Sequence, residues 1–246
     1  MSTNINFNHI HFEEVESTQD RLKKDLENYQ SQDNTQRLHL YSARRQTNGK
    51  GRQARKWTQF TNTLCFSFTV PIRPNPTLTS LEISVHLLEF LKTEFNFSAY
   101  VKWPNDIYSK AKKKMAGILI DVISDIMVVG IGINIGSIDH EKTEFQFDTV
   151  DSQRELQEIE FKHLPKKFYQ FLLSKFPYDD SSVQKKWIDQ CIHLNIPIKL
   201  KDGGVELEGQ FIGIGKHGEA IIKTETDIDG KNLHHIFSGT LLPDFR

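Results

Sequence analysis

The apolar pattern of this chain changes once, near residue 196, and that change limits the folds open to it. After Ile196 apolar and polar positions alternate, with turn signals at Asp202-Gly203-Gly204, Lys216-His217-Gly218 and Asp229-Gly230. A period of two puts every second side chain on one sheet face, so the segment predicts four or five short strands, the pattern of a small β-barrel. Before Ile196 the periods mix. Strands are expected over 5–15, 37–43, 64–70, 100–102, 115–123 and 126–133, the last two joined by a Ser124-Asp125 hairpin. Helices are expected from Ser17 and Thr18 to about Tyr29, from a Thr79/Ser80 cap through Leu91, over 153–176 with Pro165 inside it, and over 180–194. Residues 136–152 read as a polar loop. The class is α+β, divided near 192–197 into domains at 1–193 and 196–246.

Charge narrows the function. Lys+Arg is 31 and Asp+Glu is 32, a net charge of −1, which argues against a globally basic nucleic-acid coat. The cysteines, Cys65 and Cys191, are too few and too far apart for a disulfide framework or a zinc site, and read as small hydrophobes. No secretion signal is expected from the first residues, which have neither a basic stretch nor an apolar one. The longest apolar run, Ile126 to Ile133, is far short of the roughly 20 residues a membrane helix needs. A soluble cytoplasmic protein is expected, without a membrane or nucleic-acid partner.

The distribution of charge is uneven. No acid occurs between Asp33 and Glu82, while Arg44, Arg45, Lys50, Arg52, Arg55 and Lys56 flank or belong to the loop from Gln46 to Trp57. Glycines at 49 and 51 allow close backbone approach, consecutive N–H groups can cradle an anion, and Arg forks hold phosphate in two places. The pattern points to a phosphate-bearing ligand under a basic loop; alone, it equally fits a solvated surface loop. Three other segments stand out. VKWPNDIY at 101–108 turns sharply after a strand. In KKMAGILID at 113–121, Lys114 opens an apolar strand. In VGIGINI at 129–135, Gly130 and Gly132 leave a groove where a flat ligand can reach the backbone, unless they form only a bulge.

Together with ESTQD at 16–20 and QTNGKGRQARKW at 46–57, these segments resemble, in order, the biotin–protein ligases, also called biotin–[acetyl-CoA-carboxylase] ligases. The resemblance is strong over about 8–135 and looser beyond. It implies a class II synthetase-like catalytic domain, a mixed sheet with flanking helices, followed by an SH3-like barrel. It also implies ATP and biotin as substrates, Mg2+ as cofactor, biotinyl-5′-AMP as intermediate, and a lysine of a biotin carboxyl carrier domain as acceptor.

Residue by residue, Ser17, Thr18, Gln19 and Gln46 match positions that read the ring of biotin. Gly49, Lys50, Gly51 and Arg52 match the loop that orders over it, with Gly117, Gly130 and Gly132 on the ligand floor. Lys114 and Arg52 are the expected catalytic cations. Arg55, Trp57, Asn105 and Asn134 are expected at the nucleotide, with a core role equally open for Trp57, and Asp106 is the expected Mg2+ ligand. Lys50 and Ala54 depart from the bacterial GRGRxGR pattern, replacing a planar fork and a glycine.

A lipoate–protein ligase or octanoyltransferase of the same fold is the alternative. A nucleic-acid-binding module fits poorly, because residues 196–246 hold six Lys/Arg against eight Asp/Glu. The sixteen residues before Ser17 read as a strand, so no operator-binding domain is expected ahead of it. The C-terminal barrel, carrying no motif, is expected to assist catalysis rather than bind biotin. A chain ending near Asn195 should then keep some biotin affinity.

Overall fold

The structure is a computed structural model and describes residues 6–30, 38–138, 147–202, 205–228 and 231–245. The turns expected at Gly203-Gly204 and Asp229-Gly230, and part of the 136–152 loop, lie outside the described residues.

Seven strands form one sheet: β1 (Asn8–Val15), β2 (His39–Gln46), β3 (Thr63–Pro71), β4 (Tyr100–Lys102), β5 (Asp106–Tyr108), β6 (Lys114–Ile123) and β7 (Ile126–Asn134). Their order is β1-β2-β3-β7-β6-β5-β4. Only β1 and β2 run parallel; every other neighbour is antiparallel, so the sheet is mixed. Four helices accompany it: α1 (Thr18–Gln30), α2 (Thr79–Phe95), α3 (Glu160–Leu173) and α4 (Asp180–Asp189). A second, antiparallel sheet of β8 (Pro197–Asp202), β9 (Val205–Ile214), β10 (Ala220–Ile228), β11 (Lys231–Ile236) and β12 (Thr240–Pro243) has the order β11-β10-β9-β8-β12.

The period of two decides which side of the large sheet carries what. On β7 the odd residues Met127, Val129, Ile131 and Ile133 join the main core with Phe66 and Phe68 of β3 and the buried residues of α2 and α3. The even residues Ile126 and Val128 pack with Leu22, Leu26 and Tyr41 beneath α1. Continuing along that same face come Gly130 and Gly132. The apolar floor under α1 therefore gives way to a bare one where the helix begins.

Four expectations change. The helix at 79 has no side-chain cap; a 3-10 turn at Pro76–Leu78 leads in and Pro76 O accepts the Thr79 N–H, so the Ser80 hydroxyl instead donates to Pro104 O at 3.1 Å. The helix expected from 153 starts at Glu160, whose carboxylate accepts the Gln157 N–H at 2.8 Å, and it keeps Pro165 buried inside. The helix expected to reach 194 stops at Asp189, because the chain turns to bond with β4: Val101 N donates to Gln190 O and Ile192 N to Val101 O, both at 3.0 Å. Asp106 lies in a short strand, β5, which the turn reading of Asn105-Asp106 missed.

The two sheets share a core. Ile198, Leu200, Phe211, Ala220, Ile222 and Leu241 belong to the same buried cluster as the interior of the large sheet. Trp103, 1% exposed, donates its Nε1–H to Gly218 O at 2.9 Å, where Gly218 adopts φ +77°. No helix of the described residues is long and apolar enough to cross a membrane.

Candidate active site

A cavity of about 230 Å³ opens on the α1 face of the large sheet, at the N-terminus of α1. Two rungs of the sheet form its floor. Ser67, Gly130 and Leu119 lie side by side in register on β3, β7 and β6, and Gly132 and Gly117 line the next rung, whose third member, Cys65, lies off the cavity wall. All face one way, and most are small.

Glycine is required at 130 and 132 for close approach. A methyl group on Gly130 would overlap Gln19 Oε1, and one on Gly132 would run into the Trp57 indole. The groove expected for a flat ligand is thus taken up by two of the protein's own side chains. Trp57 also covers Gly117, with Lys114 Nζ at 5.6 Å from its ring. Its Nε1 is buried and faces the Cys65 thiol, whose pKa burial pushes up to about 12 against the opposing influence of the Trp57 and Gln46 side chains.

Two side-chain amides are held in opposite senses. Gln46 Oε1 accepts from Thr18 N at 2.7 Å and Thr18 Oγ1 at 3.0 Å, so its NH2 group is the donor end, set beside the Cys65 thiol and Gly49. Gln19 is the reverse: its Nε2 donates to Asp121 Oδ2 (3.2 Å), Val128 O (3.4 Å) and Leu119 O (3.5 Å), leaving Oε1 over Gly130. Thr18 Oγ1 also reaches Ser67 Oγ at 2.8 Å, and Ser17 Oγ caps α1 by accepting the Asp20 N–H at 3.2 Å. The site presents one fixed donor and one fixed acceptor.

Around this floor the cavity lining is cationic. Lys50, Arg52, Arg55, Lys56, Lys102 and Lys114 line it, and Asp106 is the sole carboxylate among the described lining residues. Asp106 Oδ1 holds Lys114 Nζ at 2.6 Å, while its Oδ2 is 3.9 Å from Lys102 Nζ. Lys102 is only 7% exposed, and burial lowers its pKa, with the charge of Asp106 opposing and those of Lys114 and Arg52 adding to the effect. A buried ammonium surrounded mainly by other cations is costly unless an anion completes it. Sequence reasoning passed over Lys102; a lysine between Val101 and Trp103 in a short strand was the available signal.

The glycine-bearing loop closes on itself through Trp57 N to Gly49 O (2.9 Å) and Gly51 N to Arg55 O (2.7 Å). Gln53 takes the left-handed conformation, φ +56°. Arg52 Nη1 approaches Asn105 Oδ1 at 3.5 Å, and Asn105 Nδ2 donates to Ile118 O at 2.6 Å, which fixes it to β6. Lys50 pairs with Asp20 at 2.6 Å. Arg55 reaches Thr240 Oγ1 at 3.1 Å, so the second sheet takes part: Gly239, Thr240 and Leu241 line the cavity, and no sequence signal marked them.

Most expected residues converge here, and three expectations need correction. Asn134 is fully buried, accepting from Thr63 Oγ1 at 2.8 Å and donating to Asp148 O at 3.3 Å, and it does not line the cavity. Gly49 is buried behind the loop against Gln46 and Trp57, again off the cavity wall. Asp106 does not fit a protein-held Mg2+: both its oxygens face ammonium groups, and no second carboxylate of the described residues joins it at the cavity. The one group of three potential metal ligands among the described residues, His11, Glu13 and Glu158, lies outside the cavity lining, and Glu158 pairs with Arg44.

Residues 12–137 match the Biotin/lipoate A/B protein ligase family, just over half of the chain. The chain belongs to this family. Among curated relatives, the bifunctional ligase/repressor BirA of Bacillus spizizenii is 26% identical over 231 residues, covering 89% of this chain and 65% of that protein. The biotin–protein ligase of Schizosaccharomyces pombe is 30% identical over 151 residues, 50% of this chain and 23% of that one. The chain thus spans less than two thirds of the length of these family relatives. Among solved structures, the biotin protein ligase of Aquifex aeolicus in complex with biotin and ATP superposes with a TM-score of 0.75 at 27% identity, covering 96% of this chain and 98% of that one.

Proposed function

We propose that this family member is an ATP-dependent biotin–protein ligase, which activates biotin as biotinyl-5′-AMP and transfers it to a lysine of a biotin carboxyl carrier domain. One observation carries the choice of biotin over the lipoyl or octanoyl group: the opposed amides of Gln46 and Gln19. A urea has a carbonyl that accepts and an adjacent N–H that donates, and it matches an amide NH2 beside an amide oxygen. A dithiolane or alkyl end has neither group and would meet the Gln46 NH2 and the Gln19 oxygen with no polar partner, the kind of mismatch that costs about 10⁴–10⁵ in selectivity.

In the first step an oxygen of the biotin carboxylate attacks the α-phosphorus of ATP; the new P–O bond forms as the bond to pyrophosphate breaks. Arg52, Lys102 and Lys114 offset the negative charge brought together there. The cation set favours Mg2+ arriving on the triphosphate rather than on Asp106. In the second step a neutral lysine amine attacks the acyl carbon, AMP leaves with the bonding pair, and one proton is released as the amide forms. Trp57 must leave Gly117 and Gly132 for a ligand to reach that rung, and we assign its indole to the adenine once moved. We read the chain as two domains, 1–193 and 196–246, the second an SH3-like barrel supported by its five antiparallel strands.

The test is to incubate the protein with ATP, magnesium, biotin and a biotin carboxyl carrier domain, then weigh the acceptor. Parallel reactions use lipoate with a lipoyl domain. A biotinyl mass on the carrier lysine and no lipoyl product is expected; lipoylation without biotinylation would overturn the reading.

A further inference from the structure

We propose that Asp121 is a positioning residue: it decides which end of the Gln19 amide a ligand meets, and so makes this corner of the site an acceptor. The name of the ligand rests on the biotin reading above, whereas the geometry does not.

The two ends of a glutamine amide are nearly the same size, so partners rather than shape fix its orientation. Around Gln19 Nε2 stand three oxygens. Val128 O and Leu119 O, at 3.4 and 3.5 Å, lie at the long edge of hydrogen bonding and belong to a β-ladder. Asp121 Oδ2 is nearer, at 3.2 Å, and it is charged, which makes it the strongest of the three acceptors. A rotated amide would aim Oε1 at a carboxylate and two carbonyls and leave its NH2 over Gly130.

The sheet register explains why the carboxylate is available. Asp121 pairs with Val128 on β6 and β7, so its side chain emerges on the α1 face, two residues along from Leu119 of the floor rung. Lys23, one turn along α1 from Gln19, holds the same Oδ2 at 2.6 Å and also reaches Asp20 Oδ1 at 3.3 Å. Asp20 in turn pairs with Lys50 of the basic loop. Helix α1 thus supplies both the amide and the cation that steadies its orienting partner. Gly130 completes the device, since any side chain there would displace Oε1.

Two readouts test this on the full chain. The first is the exchange rate of the Gln19 side-chain amide protons by NMR in wild type, Asp121→Ala and Asp121→Asn, which needs no ligand. The second is kcat and KM for biotin. Asp121→Ala should speed Gln19 exchange and raise the biotin KM about tenfold with kcat within about twofold, as expected for losing a charged partner of one hydrogen bond. Asp121→Asn keeps an oxygen that accepts from Nε2 and should restore most of both. Unchanged Gln19 exchange in Asp121→Ala overturns the proposal, as does an equal fall in kcat with no rescue by Asn. If Gln19 responds as stated but the wild type uses no biotin, the positioning stands and the biotin reading fails.

Discussion

The seven-stranded sheet meets the cavity with side chains selected for what they donate, accept or leave out, whereas the five-stranded sheet meets it with Gly239, Thr240 and Leu241, a wall made largely of backbone and small groups. The first region holds every recognisable motif and the second holds none. Yet the Trp103 indole is anchored on Gly218 O, and one buried cluster runs through both sheets. Freedom from motifs is therefore a statement about chemistry at the site. It says little about whether the site can exist without the region.

Removing the second sheet gives the largest expected effect. Ending the chain after Asn195 strips the partners of Trp103 and deletes Ile198, Leu200, Phe211, Ala220, Ile222 and Leu241 from the shared core. Each buried side chain of this kind contributes about 1.5–3 kcal/mol, against a total stability of about 5–15 kcal/mol for a whole domain. The sequence alone suggested that such a fragment keeps some biotin affinity. The shared core changes that expectation: urea titration of the fragment should show no cooperative transition. A sharp transition with retained biotin binding would restore the picture of two independent units.

Next comes a loss of chemistry without loss of fold. Lys114 is 28% exposed in its side chain and bonds Asp106 at 2.6 Å, so truncating it opens no core cavity. Lys114→Ala should lower the rate of adenylate formation about 10²–10³-fold, the usual cost of removing one donor aimed at developing charge. Transfer from pre-made biotinyl-5′-AMP should fall much less. Pyrophosphate release and transfer, measured separately, check this; equal losses would point to general disruption of the pocket.

What the sequence made legible follows the same division. The loop from Gln46 to Trp57, the lysine at 114 and the glycines at 130 and 132 were readable because residue type and spacing betray them. Their actual use was not. Gly130 and Gly132 read as open floor, and only the folded contacts show Gln19 and Trp57 resting on them. Asn134 carried the right motif, but Thr63 and Asp148 consume its amide. Lys102 sat inside a recognised segment and was overlooked, since one strand of three residues gives no period from which to infer burial. Gly239 to Leu241 contribute position rather than chemistry, which no local pattern encodes.

The boundary between the regions should also respond to acid. His193 is fully buried, 4.3 Å from the Phe211 ring centroid, and burial, then the charge of Lys102, lowers its pKa from 6.5 to about 3. His9, on β1, is lowered to about 4, chiefly by burial. A folded pKa below the unfolded one means that the unfolded chain binds more protons in between, so stability is full above pH 6.5 and declines as pH falls. His193 should contribute a slope of up to about 1.4 kcal/mol per pH unit between pH 6.5 and 3, with His9 adding to it only down to about pH 4. Denaturant melts of His193→Phe against His9→Gln should show the longer acid limb flattened only by the first. If both variants keep the wild-type slope, carboxylate titration governs the acid limb instead.

The smallest effect is expected where the two regions touch in the open. Arg55 is exposed, and its hydrogen bond to Thr240 Oγ1 at 3.1 Å is shared with one to Gln53 Oε1 at 3.0 Å. Removing one exposed partner leaves nothing buried and unpaired, because water and Gln53 replace it; such contacts contribute about 0.5–1 kcal/mol. Thr240→Ala should therefore raise the KM for ATP by no more than about fivefold, converting that energy at 1.4 kcal/mol per tenfold, and leave the melting transition in place. This small number separates two roles for the second sheet. A wall supports Trp103 from behind and is indifferent to one hydroxyl at its rim. A participant holds Arg55 over the nucleotide, and losing that hydroxyl would cost tenfold or more in ATP KM with biotin KM unchanged. Steady-state kinetics of Thr240→Ala with each substrate varied in turn distinguish them, and Thr240→Ser, which keeps the hydroxyl, should then recover the loss.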